Sequence, residues 1–296
     1  MLIVIRSFFA DNDQRITVLL SQQSGLFSIM DTPLVMGILN TTPDSFSDGG
    51  KFNAVDAALH HIEQMIIDGA KIIDVGGEST RPNADPVSEK EELSRVIPVL
   101  EKAIPEFGSE VFFSVDTTKY EVALQGLELG AHIINDVSGL TKEPRFIDLC
   151  MEYDAYYVLM HTQGDPKTMQ QDPRYLDVID ELSAFFAKKL REFESRGFSK
   201  VILDPGIGFG KKLEHNLTLI AHLDSFLEFD VPVLIGASRK SMIAQVLDDR
   251  EVEGRLAGTL AVHYHSLMKG ARILRVHDVK EASDSIRIFN AIQSQS

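Results

Sequence analysis

The chain has 296 residues, of which 44% are hydrophobic and 25% charged, with 20 Gly and 11 Pro. That composition excludes a disordered or collagen-like chain, and the length admits one large α/β domain or two small ones. Lys and Arg number 29 against 44 Asp and Glu, a net charge of −15, so non-specific nucleic-acid binding is disfavoured and an anionic substrate needs a locally basic pocket.

The N-terminus opens Leu2-Ile3-Val4-Ile5 but meets Arg6, Asp11 and Asp13, which is not the pattern of a signal peptide. No apolar run approaches the roughly 18 residues of a transmembrane helix, so a cytoplasmic protein with no membrane partner is expected. Residues 1–33, apolar over 16–20 and 26–30, read as a hairpin-like extension packed on the bottom of a domain spanning 34–296. From Leu34 onward short apolar runs alternate with longer amphipathic ones. The spacing predicts strands over 34–39, 72–75, 111–115, 132–134, 155–160, 201–203, 232–235 and 272–276. Apolar residues at three- and four-residue intervals predict helices over 54–68, 89–103, 119–129 and 175–196. Several strands are apolar on both faces, as parallel strands buried under helices must be. Eight such repeats fit a single closed (β/α)8 barrel. A doubly wound open sheet fits less well, because it needs fewer strands and no Rossmann glycine fingerprint follows the first one. The single Cys150 excludes an intrachain disulfide and reads as an inert core residue.

Active sites of such barrels form where strands end at their C-termini. In order these ends give Asn40; Glu78, Ser79, Thr80 and Arg81 after Asp74; Asp116; Asn135 and Asp136; His161; Asp204; Ser238, Arg239 and Lys240; then Arg275 and His277. A helix cap or loop contact explains any one of them, Asp116 and Asp136 included. Their convergence on one rim points instead to a polar ligand site. Within this set, residues 40–50 form a polar, Gly-terminated loop that is either a surface turn or a lid, the latter with Asn40 as an amide suited to Mg²⁺ and Phe46 as an aromatic contact. Residues 204–211 imitate a phosphate loop but lack its spacing, and Lys212 stands where Ser or Thr belongs. The glycines there give a flat ligand room, and Asp204 can accept two hydrogen bonds from an aminopyrimidine edge. Residues 236–241 are not a nucleophile elbow. Their Arg239 and Lys240 at a helix N-terminus, with Arg275 and His277, supply an anion pocket. Elsewhere His263 and His265 point different ways, His60 and His61 belong to a helix surface, and Glu89, Glu91 and Glu92 serve a helix dipole.

The runs Met36-Gly-Ile-Leu-Asn40-Thr-Thr-Pro-Asp-Ser-Phe-Ser-Asp-Gly-Gly50, Asp74-Val-Gly-Gly-Glu-Ser-Thr80-Arg81-Pro82, Ser114-Val-Asp116-Thr, Ile134-Asn135-Asp-Val, Asp204-Pro-Gly and Ser238-Arg-Lys240 resemble the dihydropteroate synthase family of pterin-binding barrels. The resemblance runs from about Leu34 to the C-terminus. It implies condensation of 6-hydroxymethyl-7,8-dihydropterin diphosphate with 4-aminobenzoate in folate synthesis, in a homodimer that sulfonamides target. By that resemblance Asp116, Asn135, Asp204 and Lys240 hold the pterin, Asn40 binds Mg²⁺, and Thr80, Arg275 and His277 grip the diphosphate. Phe46, Arg81, Pro82 and Ser238 frame the aminobenzoate, and Met160 and Phe209 complete the substrate-binding set. Asn40, Arg81, Asp116, Lys240, Arg275 and His277 form the catalytic set, and no protein nucleophile is needed. Thr162, Ile207 and Asn83 depart from common family residues beside the motifs. A corrinoid methyl-transfer barrel would share the pterin carboxylates but needs no diphosphate clamp. A non-catalytic homologue would be expected to lose a clamp residue, and none is missing.

Overall fold

In the computed structural model eight strands run parallel: β1 (Leu34–Asn40), β2 (Ile72–Gly76), β3 (Phe112–Asp116), β4 (Ile133–Asp136), β5 (Tyr156–Met160), β6 (Val201–Asp204), β7 (Leu234–Ile235) and β8 (Ile273–Val276). The structure describes residue 26 and residues 32–41, 50–79, 86–164, 169 and 172–295. Neighbours follow the order β6-β5-β4-β3-β2-β1-β8-β7. A parallel bridge between Leu203 and Val233, with the Leu203 N–H donating to the Pro232 carbonyl at 2.9 Å, joins β6 to β7 and closes the ring. The barrel expected from the repeats is therefore present.

Strand side chains alternate between two faces. Val35, Ile73, Phe113, Val115, Tyr157, Leu203 and Leu274 point out and pack into the larger core beneath the helices. Leu34, Met36, Ile72, Phe112, Ile133, Val158, Ile202, Leu234 and Ile273 point in and fill the lower barrel. Each fully buried side chain of this size stabilises the fold by about 1.5–3 kcal/mol. Leu26 belongs to the same inward cluster and is fully buried. The rest of the hairpin expected over 16–20 and 26–30 lies outside the described residues.

The helical layer comprises α1 (Gly50–Ile67), α2 (Glu89–Phe107), α3 (Tyr120–Glu128), α4 (Phe146–Glu152), α5 (Val178–Ser195), α6 (Leu213–Ala221), α7 (Ser241–Val246), α8 (Leu256–Met268) and α9 (Val279–Gln293). Several boundaries differ from the sequence pattern by a few residues, four of them near functional or capping residues. Helix α2 runs through both Pro98 and Pro105 instead of ending before the second. Helix α5 starts three residues later than expected, because the Asp177 side chain caps it by accepting from the Ile179 and Asp180 amides at 2.8 and 3.1 Å. Strands β3 and β6 each extend one residue further than expected, to Asp116 and Asp204, so strand register and not a loop sets those carboxylates. Among the described residues no helix is long and apolar enough to cross a membrane.

Candidate active site

The inward face that is apolar at the bottom turns polar at the top. Stepping by two along each strand from the inward apolar residues reaches Asn40, Asp74, Asp116, Asn135, Met160, Asp204 and Arg275. Asp74 sits lowest, opposite Ser114 in the strand register, and both are fully buried. One Asp74 oxygen, Oδ2, accepts from Asn135 Nδ2 at 2.9 Å and from Arg275 Nε at 2.7 Å. Arg275 Nη2 then donates to Asp116 Oδ2 at 2.6 Å. One guanidinium thus bridges two carboxylates, and Asp74 fixes how the Asn135 amide is turned. Asp74 Oδ1 and Ser114 Oγ have no hydrogen-bond partner among the described residues. Buried polar atoms are rarely left so, and this pair marks the pocket floor as suited to a polar occupant.

Burial lifts the Asp116 carboxyl to about 8, against the opposing pull of Arg275 and with help from Asp74, Glu92 and Asp136. Asp204 is also lifted by burial, while Lys240, the Gly206 amide, Arg275 and Lys211 draw it back. Its Oδ1 accepts from the Gly206 N–H at 2.7 Å. Lys240 comes from the loop after β7 and crosses to the loop after β6. Its ammonium donates to the Ile207 carbonyl and lies 4.4 Å from the Phe209 ring centroid. Burial pushes this lysine down to about 8. Ser238 Oγ meets the His277 amide at 3.2 Å and its Nδ1 at 3.0 Å. Beside these loops a cavity of about 290 Å³ is lined by Gly208, Lys211, Lys212, Asn216 and Ser241, among others.

Asp116, Asn135, Asp204, Lys240 and Arg275 are therefore brought together, with Ser238, His277, Met160, Phe209 and Asn40 around them. Met160 pairs in register with Asp204, and Asn40 pairs with Gly76, the register partner of Asp116. Phe46, Thr80, Arg81 and Pro82 lie outside the described residues.

Two readings are corrected, those of Arg239 and of the loop glycines, and two others gain detail. Arg239 does not serve an anion pocket: its backbone is left-handed, with φ 57°, and its guanidinium turns away to pair with Asp278, Nε to Oδ2 at 2.9 Å. The loop glycines do not make room for a flat ligand. Added Cβ atoms would lie 2.0 Å from the His161 carbonyl at Gly206, 2.4 Å from the Gln163 carbonyl at Gly210, and 3.1 Å from Lys240 Cδ at Gly208. The protein's own chain fills that space. Glu92 lies in the first turn of α2 with Glu89 and Glu91, as expected, and it is also fully buried and pairs with Lys119, which holds Glu78 as well. Asp136 makes the loop contact that explains such a residue, accepting from the Ser138 and Leu140 amides at 2.8 and 2.9 Å and from the Tyr157 hydroxyl at 2.7 Å.

Two buried charged residues had been given no role by the sequence reading, Asp74 and Lys211. Asp74 was discoverable, because it lies two residues after the inward Ile72 in an otherwise apolar run. Lys211 carried no such signal, since nothing local distinguishes it from the exposed Lys212.

Residues 36–277 match the family described as pterin binding enzyme. The dihydropteroate synthase of Escherichia coli K12 is 50% identical over 264 residues, covering 88% of this chain and 92% of that one. The crystal structure of Yersinia pestis dihydropteroate synthase in complex with a sulfonamide drug superposes with a TM-score of 0.83 at 45% identity, over 90% of this chain and 96% of that one. The Xanthomonas albilineans dihydropteroate synthase bound to 4-aminobenzoic acid gives 0.82 at 41% identity, over 89% of this chain and 94% of that one.

Proposed function

This chain belongs to the pterin-binding enzyme family, and we propose that its barrel rim is where the dihydropteroate synthase reaction takes place. 6-Hydroxymethyl-7,8-dihydropterin diphosphate and 4-aminobenzoate condense to 7,8-dihydropteroate and diphosphate. The observation that carries this reading is the inward cluster itself. Asp116, Asn135 and Asp204 offer acceptors and Lys240 a donor across one buried pocket, with Arg275 between two carboxylates. A flat ring that carries several N–H donors and one carbonyl is complementary to that set, at about 1.5–3 kcal/mol per charge-assisted bond.

In the reaction the C–O bond of the pterin CH₂ breaks and its electron pair leaves with the diphosphate. The aromatic amine supplies the pair for the new C–N bond and then loses its proton. No nucleophile of the chain is required. Ser238, with its Oγ on His277, holds that imidazole at the rim. His277 and the donors of Arg275 not directed at Asp74 and Asp116 meet the charge that develops on the diphosphate. Thr80 joins them in this reading, while Phe46, Arg81, Pro82, Ser238 and Phe209 frame the aminobenzoate. Holding the two substrates in line accounts for about 7–11 kcal/mol of the barrier.

Mg²⁺ fits the site by donor chemistry. Mg²⁺ commonly takes one or two protein oxygens and fills its shell from phosphates and water. The Asn40 amide oxygen would hold it, and when bound it would offset diphosphate charge. A homodimer is supported by exposed apolar side chains on α8 and α9, namely Met268, Ile288 and Ile292. A cytoplasmic location is in keeping with Cys150 as a buried free thiol.

The experiment is diphosphate release by purified protein with the pterin diphosphate and Mg²⁺, with and without 4-aminobenzoate. Release that depends on 4-aminobenzoate and yields dihydropteroate is expected. Pterin binding without release would make the chain a non-catalytic homologue.

A further inference from the structure

Lysine is among the residues least often buried, yet Lys211, at the end of the loop after β6, is only 3% exposed. Its ammonium directs its three donors at neutral groups: His161 Nδ1 at 3.1 Å, the His161 carbonyl at 3.1 Å and the Phe209 carbonyl at 3.0 Å. These bonds join the loop after β5 to the loop after β6. The same loop is held from outside by the Tyr175 hydroxyl on the Gly210 carbonyl at 2.9 Å and by Asn216 Oδ1 on the Gly208 amide at 2.7 Å. Burying a charge whose hydrogen-bond partners are all neutral costs free energy that a neutral side chain of the same length would not. Joining two carbonyls therefore does not by itself account for a lysine.

The charge lies against the turn that Asp204 holds: a Cβ built on Gly206, whose N–H donates to Asp204 Oδ1 at 2.7 Å, would sit 3.3 Å from Lys211 Nζ. Three cations face that carboxylate: Lys240 from the loop after β7, Arg275 from β8 and Lys211 from its own loop, with the Gly206 N–H on Oδ1. Lys211 is faced by Asp204, by Lys240 and by the His161 ring. Burial and Lys211 together push that imidazole down to about 3, so it accepts through Nδ1 and adds no charge. Among the described residues, the rings of Phe185 and Tyr175 face its other side.

We infer that Lys211 is a positioning residue for the pterin ring: it ties the β5 and β6 loops together, and its charge keeps Asp204 in the ionised, acceptor-only form that ring N–H donors need. The inference rests on the reading of Asp204 as a pterin acceptor. Burial pushes Lys211 itself down to about 7, against the pull of Asp204, which is in keeping with a cation held in place by what it does for its neighbour.

The test compares Lys211→Met, which keeps the length without the charge, and Lys211→Gln, which keeps two N–H donors without the charge. Binding of 6-hydroxymethylpterin is titrated from about pH 5 to about pH 9, and KM is measured for each substrate. Loss of a cation raises the pH at which Asp204 ionises, so the acid limb of pterin binding should move up by about one pH unit in both variants, with about tenfold weaker binding on that limb. The KM for 4-aminobenzoate should stay within about twofold, well inside that tenfold loss. An unmoved acid limb would overturn the inference, as would equal losses for both substrates, which mark a packing defect. Asp204→Asn is run in parallel. If it leaves pterin binding intact, the reading of Asp204 falls; if it abolishes binding while the Lys211 variants keep the wild-type acid limb, only the role of Lys211 falls. Should neither lysine variant fold, ¹³C NMR of the lysine ε-carbons in the unsubstituted enzyme decides. Two lysines, Lys211 and Lys240, should titrate well below the usual value of about 10.4 and respond to pterin, and finding only one would overturn the inference.

Discussion

Arg275→Leu is the perturbation with the largest effect that follows from the barrel interior. The guanidinium donates to Asp74 at 2.7 Å and to Asp116 at 2.6 Å, Asp74 is fully buried, and Asp116 is 7% exposed. Leucine leaves two carboxylates side by side without their shared cation. Removing one partner of a buried ion pair costs about 3–5 kcal/mol, a large share of the roughly 5–15 kcal/mol that holds a protein folded. The melting temperature should fall by about 10 °C. The loss must also depend on pH. Asp116, already raised to about 8 by burial with Arg275 beside it, is harder still to ionise once that cation is gone. Below about pH 8 both folded proteins hold the Asp116 proton, so the deficit grows only as pH rises above that value, where the unsubstituted protein releases the proton and the variant keeps it. Urea unfolding at about pH 6.5 and about pH 9.5 measures this, with the larger deficit expected at the higher pH. Adding Asp116→Asn to the variant should return part of the loss. A deficit below about 1 kcal/mol at the higher pH, or the same deficit at both, would refute the claim that Arg275 neutralises this pair.

Three further outcomes are expected. Both ring nitrogens of His263 are buried and without a partner among the described residues, and burial pushes the imidazole down to about 4. His263→Leu should raise stability by about 1–2 kcal/mol near neutrality. It should also flatten the loss of melting temperature that an unprotonated buried histidine causes as pH falls from about 6.5 to about 4. Gly206→Ala should cost about 3 kcal/mol or more in urea unfolding, because φ is +67° and the new Cβ would meet the His161 carbonyl at 2.0 Å; a loss under about 1 kcal/mol would mean that the loop yields freely. Cys150 is buried and its thiol is pushed up by burial, so a thiol reagent should label it only after denaturation; rapid labelling of native protein would contradict its place in the core.

The alternation of short apolar runs with amphipathic ones sufficed for eight strands, their helices and a closed barrel, because parallel strands covered by helices must be apolar on both faces. The rim residues were also readable, since strand ends are where such barrels expose side chains. What remained hidden was decided by strand parity and by contacts across the barrel. Asp74 looks like one polar residue in the run 72–76, yet closure places its oxygen against Asn135, 61 residues away, and Arg275, 201 residues away. Arg239 and Lys240 are adjacent in sequence, but a left-handed Arg239 sends one to Asp278 at the barrel's outside and the other across the pocket to Ile207. Lys211 and Lys212 are identical in sequence terms, and only folding buries the first against His161 and leaves the second near Asp172. Periodicity is a local property and survives in a one-dimensional string. The charge environment of a side chain depends on which distant strands close around it, and the tertiary structure alone determines that.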